Sequence, residues 1–215
     1  MIDAHFHRRT YDTFLGGDGI ERRFSGVHPW QSAEIDMPSA MQSLESSLAA
    51  DPAMGVGEIG LDRLKAREIP EVQRQAFERQ LELAAVYRRP VVLHGAKCWG
   101  EVVKACRPYA GTIPSFLFHG FSRSEGLLAE IFSMNGFVSI GPALLNDHAV
   151  NYRRLAATLP PDRILVETDL ADDDPAAGRM DVLADIHGSL ARLRGLAQAE
   201  LESMLAANAR RFMDP

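Results

Sequence analysis

Residues 71–94 read EVQRQAFERQLELAAVYRRPVVLH, and this stretch decides the fold. Its first part places apolar residues four apart: Val72 and Ala76, Phe77 and Leu81, Leu81 and Ala85. Arg74, Glu78 and Glu82 fall mostly on the other side, which predicts an amphipathic helix over residues 71–88. Pro70 stands at its start, where a missing N–H breaks no helical hydrogen bond. After Pro90 the chain changes character: Val91-Val92-Leu93-His94 is nearly continuous in apolar residues. Strands of a parallel sheet covered by helices are buried on both faces and read this way.

The same alternation runs outward in both directions. Short apolar runs lie at residues 1–6, 24–28, 54–59, 90–94, 116–119, 136–140 and 163–167. Helix-period segments lie at residues 38–50, 71–88, 98–108, 124–134, 150–159, 181–193 and 199–212. Strand alternating with helix implies right-handed βαβ units around a parallel sheet. The expected class is α/β, a TIM-barrel-like fold forming one domain over residues 1–215. Seven strands are readable, whereas a TIM barrel has eight and takes about 250 residues. Either one βα unit is reduced to a vestige within residues 10–23, or the barrel is incomplete. An open doubly wound sheet is the competing architecture.

Composition is ordinary for a soluble globular protein: 46% hydrophobic and 24% charged residues in 215. A net charge of −6 offers no long-range attraction to nucleic acid or anionic membranes. Two cysteines, Cys98 and Cys106, make no disulfide framework and suit a reducing compartment, with packing as their expected role. No run of about 18 apolar residues predicts a membrane span. The start, MIDAHFHRRT, lacks the basic and then apolar order of a signal peptide. The expected location is the cytoplasm.

Chemistry-bearing side chains gather at the ends of the runs. His5 and His7 are two apart on the first strand, so both imidazoles can reach one ion. Glu58 lies late in the third run, His94 ends VVLH, His119 ends SFLFH and Asp169 ends ILVETD. The C-terminal ends of parallel strands open on one face, where barrel active sites are built. Buried charges need partners or a metal, so these six residues are read as a metal site. Mixed imidazole and carboxylate ligation suits Zn²⁺ or Mn²⁺, with Mg²⁺ also allowed. His28 ends the second run on the same face. His28, Arg63, Lys97 and Arg123 are candidate substrate contacts, and Trp30 is a candidate for stacking on a base. Glu167 shares a strand face with Asp169 and is a candidate supporting charge. His148 and His187 fall in helical segments and read as surface or core histidines.

DAHFH, GVHPW, GEIGLD, VVLHG, FHGFS, SIGP and ILVETD, in this order, resemble the TatD family of metal-dependent hydrolases and deoxyribonucleases. The likeness runs from Ile2 to Asp169, with a fainter echo in AANARRF near the end. The resemblance implies a TIM barrel and two divalent ions. It assigns His5, His7 and Asp169 to one ion, His94 and His119 to the other, and Glu58 to a bridge between them. It also implies a two-metal phosphoesterase or deoxyribonuclease using a metal-activated water, which Asp169 can orient or deprotonate. Hydrolysis of a C–N or C–O bond in a small molecule, and metal binding without catalysis, are the competing readings.

Two features depart from the family pattern. The spacing between His7 and Gly26 is short, and Asp169 is followed by Asp172, Asp173 and Asp174. Three carboxylates beside the site would repel a long phosphate backbone. The expected substrate is therefore a small phosphoester or a short nucleic acid, with no membrane and no obligate protein partner.

Overall fold

The short apolar runs become strands, and the computed structural model pairs them into one eight-stranded sheet in chain order. It describes residues 1–8, 13–64, 68–122, 125–171 and 178–214. The strands are β1 (Asp3–His7), β2 (Thr13–Gly17), β3 (Ile20–Ser25), β4 (Gly55–Asp62), β5 (Val91–Ala96), β6 (Phe116–Phe118), β7 (Gly136–Ile140) and β8 (Ile164–Val166). Two hydrogen bonds close the ring between its ends. The His7 N–H donates to the Leu170 carbonyl at 2.9 Å, and the Asp169 N–H donates to the His5 carbonyl at 3.0 Å. The result is an α/β, TIM-barrel-like fold.

All seven expected strands are present and run in one direction. The eighth, β2, lies within residues 10–23, where one βα unit is expected to be reduced to a vestige, and what stands there is a reversed strand. β2 is antiparallel to both β1 and β3, so it stands reversed between two parallel neighbours. No helix connects β1 to β3 among the described residues. β2 and β3 form a hairpin across Asp18 and Gly19, whose φ values are 52° and 80°. A two-residue Asp-Gly loop with both φ values positive matches the twist of a hairpin. The second parallel strand accordingly ends at Ser25, not at residue 28.

Among the described residues seven α-helices follow the expected order: α1 (Met37–Ala50), α2 (Glu71–Val86), α3 (Trp99–Cys106), α4 (Leu128–Ser133), α5 (Val150–Thr158), α6 (Arg179–Arg194) and α7 (Gln198–Met213). Asp36 caps α1 by accepting the Ser39 N–H at 3.2 Å. α6 ends at Gly195, whose φ of 65° is free of strain only for glycine. An outer apolar layer, including Leu48, Phe77, Leu81, Leu93 and Phe116, lies between strands and helices. An inner cluster fills the barrel with Ile2, Leu15, Val92, Leu117 and Leu165. α7 joins that inner cluster: Phe212 stacks on Phe24 at 5.8 Å and meets Phe137 edge-on at 5.9 Å. Its last turn is the floor of the barrel. Cys98 and Cys106 are buried and free, in line with packing roles. His187 is also in the core, with its ring 3.2 Å from the Ile2 carbonyl, while His148 is exposed.

Two register shifts decide where the chemistry points. Between Asp3 and Phe6, β1 carries one residue more than β2 opposite it. Between Val56 and Ile59, β4 carries one more than β5. A bulge re-aims the side chains that follow it. Val56, Ile59 and Leu61 pack in the outer layer, which leaves Glu58, Gly60 and Asp62 together on the inner side. Gly60 is required there: a Cβ would stand 2.0 Å from the His94 carbonyl oxygen, and its φ is 150°.

Candidate metal centre

The six residues read as ligands come together at the C-terminal ends of the strands: His7, Glu58, His94, His119 and Asp169 line one cavity, and His5 is buried beside Glu58 and Asp169. His5 and His7 come from β1, Glu58 from β4 and His94 from β5. His119 follows β6 directly, and Asp169 lies three residues past β8. Glu58 is central. Its Oε1 lies 2.6 Å from His94 Nδ1 and 2.7 Å from His119 Nε2, and its Oε2 lies 3.3 Å from His5 Nε2. Asp169 Oδ1 stands 3.3 Å from both His5 Nε2 and His7 Nε2. The rings of His5 and His119 stack at 4.2 Å.

Ligating atoms within 4.8 Å of one another form three groups: His5, His7 and Glu58; His5, His119 and Asp169; and His28, Glu58 and His94. His119 falls beside His5 and Asp169 in this grouping, yet its Nε2 is also 3.3 Å from His94 Nδ1. His28 comes within 3.5 Å of Glu58.

Electrostatics in the cavity follow from burial and opposed charge. Burial alone would raise the Glu58 carboxyl, but His119 foremost, with His28 and His5, holds it well below the usual range. Burial alone would lower the His119 imidazole, and the Glu58 charge carries it well above its ordinary value. His5 is opposed by burial and by His119, yet Asp169 and Glu58 raise it to about 9. His94 moves up in the same way against its burial, through Asp62 and Glu58. Asp169 is pushed down against its own burial by His5 and His7. Burial wins only at His28, which is lowered. Buried carboxylates here gather positive charge from protons, and a cation can supply the same charge.

A direct sign of fit is at His5. Both of its ring nitrogens are buried and make no hydrogen bond among the described residues, as is true of His119 Nδ1. The carboxylates beside His5 Nε2 are at ion-pair distance but off the hydrogen-bonding direction. An imidazole nitrogen so placed has the lone pair and surroundings of a metal ligand.

Two carboxylates behind the cavity hold the histidines in place. Asp62 Oδ2 lies 2.9 Å from His94 Nε2 and accepts the Trp30 indole N–H at 2.8 Å. Its Oδ1 accepts the Leu64 N–H at 2.6 Å, and its own N–H donates to Gln73 Oε1 at 3.0 Å. With Nε2 protonated toward Asp62, His94 turns the Nδ1 lone pair toward Glu58 and His119. Glu167 Oε1 accepts the Gly120 N–H at 2.6 Å and lies 3.6 Å from His119 Nδ1, while Oε2 accepts the Ser139 hydroxyl. Glu167 thus stands where its strand face predicts. Asp62 does not emerge from a strand read as ending at residue 59. The longer β4 supplies the missing signal, since residues 58, 60 and 62 share one face.

The remaining candidates separate. His28 and Trp30 line the cavity of about 310 Å³ that also holds Glu58, His94 and His119. Lys97 lines a neighbouring cleft of about 650 Å³ that reaches His94, His119 and Asp169. Arg63 is exposed, lies 3.3 Å from Glu101, and borders a separate groove with Glu68 and Arg74. Arg123 and the acidic run Asp172, Asp173 and Asp174 lie outside the described residues. A second cleft of about 560 Å³ opens past Asp169 and Glu167, walled by Pro142, Val150 and Tyr152.

Residues 22–214 match the family model described as TatD related DNase. The chain belongs to that family. The match begins beyond the reversed strand, so His5 and His7 join the site through the fold and not through the matched segment. Among curated relatives, a 3'-5' ssDNA/RNA exonuclease TatD from Edwardsiella piscicida is 31% identical over 146 residues, 67% of this chain and 56% of that protein. The protein of the same name from Klebsiella pneumoniae is 29% identical over 196 residues, 86% of this chain and 74% of its own length. The chain thus spans little more than half of the first of these relatives. A solved TatD homologue from Escherichia coli superposes with a TM-score of 0.75 at 24% identity, covering 88% of this chain and 76% of that one. That likeness supports the barrel. Among the described residues, no helix of this TatD-related chain is long and apolar enough to cross a membrane.

Proposed function

We propose that this chain is a metal-dependent phosphodiesterase that cleaves nucleic-acid ends or short nucleotides with a metal-activated water. The observation that carries the reading is the position of Glu58, a buried carboxylate within 3.3 Å of three imidazoles, from β1, from β5 and from just past β6. His5, His7, Glu58, His94, His119 and Asp169 would hold two divalent ions, Zn²⁺, Mn²⁺ or Mg²⁺, with Glu58 shared between them. Ions bound there would bring a water to hydroxide near neutral pH and offset charge developing on phosphoryl oxygens. The exonuclease names of the relatives favour a nucleic-acid substrate. The barrel is read as one domain acting in the cytoplasm without an obligate protein partner.

The protein's own groups divide the remaining work. Asp169 is half exposed at the mouth, with Oδ1 turned toward His5 and His7. It can accept a proton from an attacking water and pass it outward. His28 Nδ1 accepts the Trp30 backbone N–H at 3.2 Å, so its neutral form carries the proton on Nε2, facing Glu58. That makes His28 a hydrogen-bond donor in the cavity more than a ligand. Asp62 keeps His94 in the tautomer that ligation needs.

The test is a chelator-stripped protein assayed on single-stranded oligonucleotides, mononucleotides, amides and lactones, with Mn²⁺, Zn²⁺ or Mg²⁺ restored in turn. Cleavage of the phosphodiesters that vanishes on stripping and returns with metal is expected. Cleavage of amides or lactones alone, or activity indifferent to chelation, would overturn the reading. A second measurement addresses Asp62. Asp62→Asn should fold normally but bind metal about 10–100-fold more weakly, because His94 loses the acceptor that fixes its tautomer. Competitive titration against a coloured chelator reads this directly. Equal affinity in the two proteins would show that Asp62 does not orient His94.

A further inference from the structure

We propose that Asp3 is a positioning residue for the metal centre, whose buried carboxylate locks the turn at Thr168 and Asp169 and so holds the Asp169 carboxylate between His5 and His7. This inference rests on the reading of Asp169 as a ligand in the phosphodiesterase proposed above.

Asp3 is fully buried at the start of β1, two residues before His5. A charge placed there needs partners. Oδ1 accepts the Thr168 backbone N–H at 3.0 Å and the His5 N–H at 3.4 Å. Oδ2 accepts the Thr168 hydroxyl at 2.7 Å and Arg179 Nη1 at 3.0 Å. Arg179 brings the opposite charge from the first turn of α6, and its guanidinium lies 4.0 Å over the Phe6 ring. One carboxylate thus fastens the segment after β8 to β1 through both of its oxygens. The strain lies one residue later. Asp169 has a φ of 55°, in the left-handed region where a Cβ crowds the backbone. Such a conformation persists where the surroundings over-determine it. Around Asp169 they do. Before it, Thr168 is held by Asp3 at both its N–H and its hydroxyl. After it, the Leu170 N–H reaches that same hydroxyl at 3.4 Å, and the Leu170 carbonyl accepts the His7 N–H at 2.9 Å. The Asp169 N–H itself donates to the His5 carbonyl at 3.0 Å. The turn fixes the direction of the Asp169 side chain, whose Oδ1 stands 3.3 Å from both His5 Nε2 and His7 Nε2. Relaxation toward negative φ would rotate the Cα–Cβ bond and carry the carboxylate off the two imidazoles. Asp3 does for Asp169 what Asp62 does for His94, but through the backbone.

The experiment uses Asp3→Asn, with and without Asp169→Gly. Asparagine keeps the shape and one acceptor, but sets an NH₂ where Thr168 and Arg179 donate. Glycine at residue 169 removes the carboxylate and takes the left-handed φ without strain. Chelator-stripped proteins are titrated with Mn²⁺ in competition with a coloured chelator. In Asp3→Asn one ion should bind about 10- to 100-fold more weakly and the other as in wild type. On a single-stranded oligonucleotide kcat should fall by about the same factor, with KM little changed. In the Asp169→Gly background the further change from Asp3→Asn should stay within about twofold, because no carboxylate is left to aim. The same fold loss in both backgrounds would reduce Asp3 to a fastener of the barrel, and unchanged Mn²⁺ affinity in Asp3→Asn would overturn the proposal outright. Should Asp3→Asn not fold, Thr168→Val decides. It keeps the buried shape and loses only the hydroxyl, so Mn²⁺ at one position should weaken by about tenfold. Unchanged affinity there would overturn the proposal as well. If wild type cleaves no phosphodiester, the phosphodiesterase reading falls, and the Mn²⁺ titrations still decide whether Asp3 aims Asp169.

Discussion

Glu58→Gln should lower kcat/KM for metal-dependent phosphodiester cleavage by about a thousandfold or more, with the barrel still folded. Glutamine matches glutamate in shape but carries no charge. At this position the carboxylate faces His94, His119 and His5 from both of its oxygens. Two cations in one cavity repel each other, and a shared carboxylate offsets that repulsion. An amide cannot do so, and its NH₂ presents donors where lone pairs are needed. If Glu58 is shared as proposed, both ions should therefore bind more weakly, not one. Charge stabilisation by bound metal is worth several kcal/mol, and each 1.36 kcal/mol is a factor of ten in rate, which sets the expected loss at about three decades. Elemental analysis of the purified variant and steady-state kinetics on an oligonucleotide measure the two effects separately. A variant that keeps two tightly bound ions and wild-type rates would remove Glu58 from the shared position. By contrast, Lys97→Ala touches a neighbouring cleft and should leave the metal content intact.

What could be read in the sequence follows the physics of each signal. Residues 71–88 were readable as a helix because spacing-four contacts are local and repeat along one face. VVLH and ILVE were readable as buried strands because both faces of a helix-covered strand are apolar. The candidate ligands stand out because each stands where an apolar run stops, and strand ends share one face of the barrel. β2 was hidden for a different reason. Thr13-Phe14-Leu15-Gly16-Gly17 has two glycines in five residues and no alternation, so it carries little strand character of its own. The visible clue was the Asp18-Gly19 pair, a hairpin loop signal that fixes the reversed direction. The register shifts in β1 and β4 were beyond reach, because a bulge is defined against a partner strand. Asp62 was missed as a consequence. Ending β4 at residue 59 puts Asp62 in a loop, whereas the observed strand carries it inward with Glu58 and sends Arg63 outward to Glu101.

Phe212→Ala should destabilise the protein by about 3–5 kcal/mol, the usual range for a large buried aromatic cut to alanine. The ring is fully buried between Phe24 and Phe137 at the floor of the barrel. Neighbouring strands are held by their ladders and cannot collapse into the space, so most of the cavity cost should remain. The backbone of the same residue ties α7 to the sheet: its carbonyl accepts the Ser115 hydroxyl just before β6. At about 2–4 °C per kcal/mol for a chain of this size, the melting temperature should fall by about 10 °C. Activity should respond differently. Ser115 and His119 stand at opposite ends of β6, so the floor and the metal centre are separated by the length of the strand. Below its melting range the variant should keep wild-type metal content and near wild-type kcat/KM, since the candidate ligands stand at the C-terminal ends of β1, β4, β5, β6 and β8, away from the floor that α7 forms. Urea titration followed by circular dichroism gives the stability change, and the oligonucleotide assay on the folded protein gives the activity. A loss below about 1 kcal/mol would mean that α7 only leans on the barrel. A large fall in kcat/KM with the fold intact would mean that the floor helps to shape the metal centre through the strands.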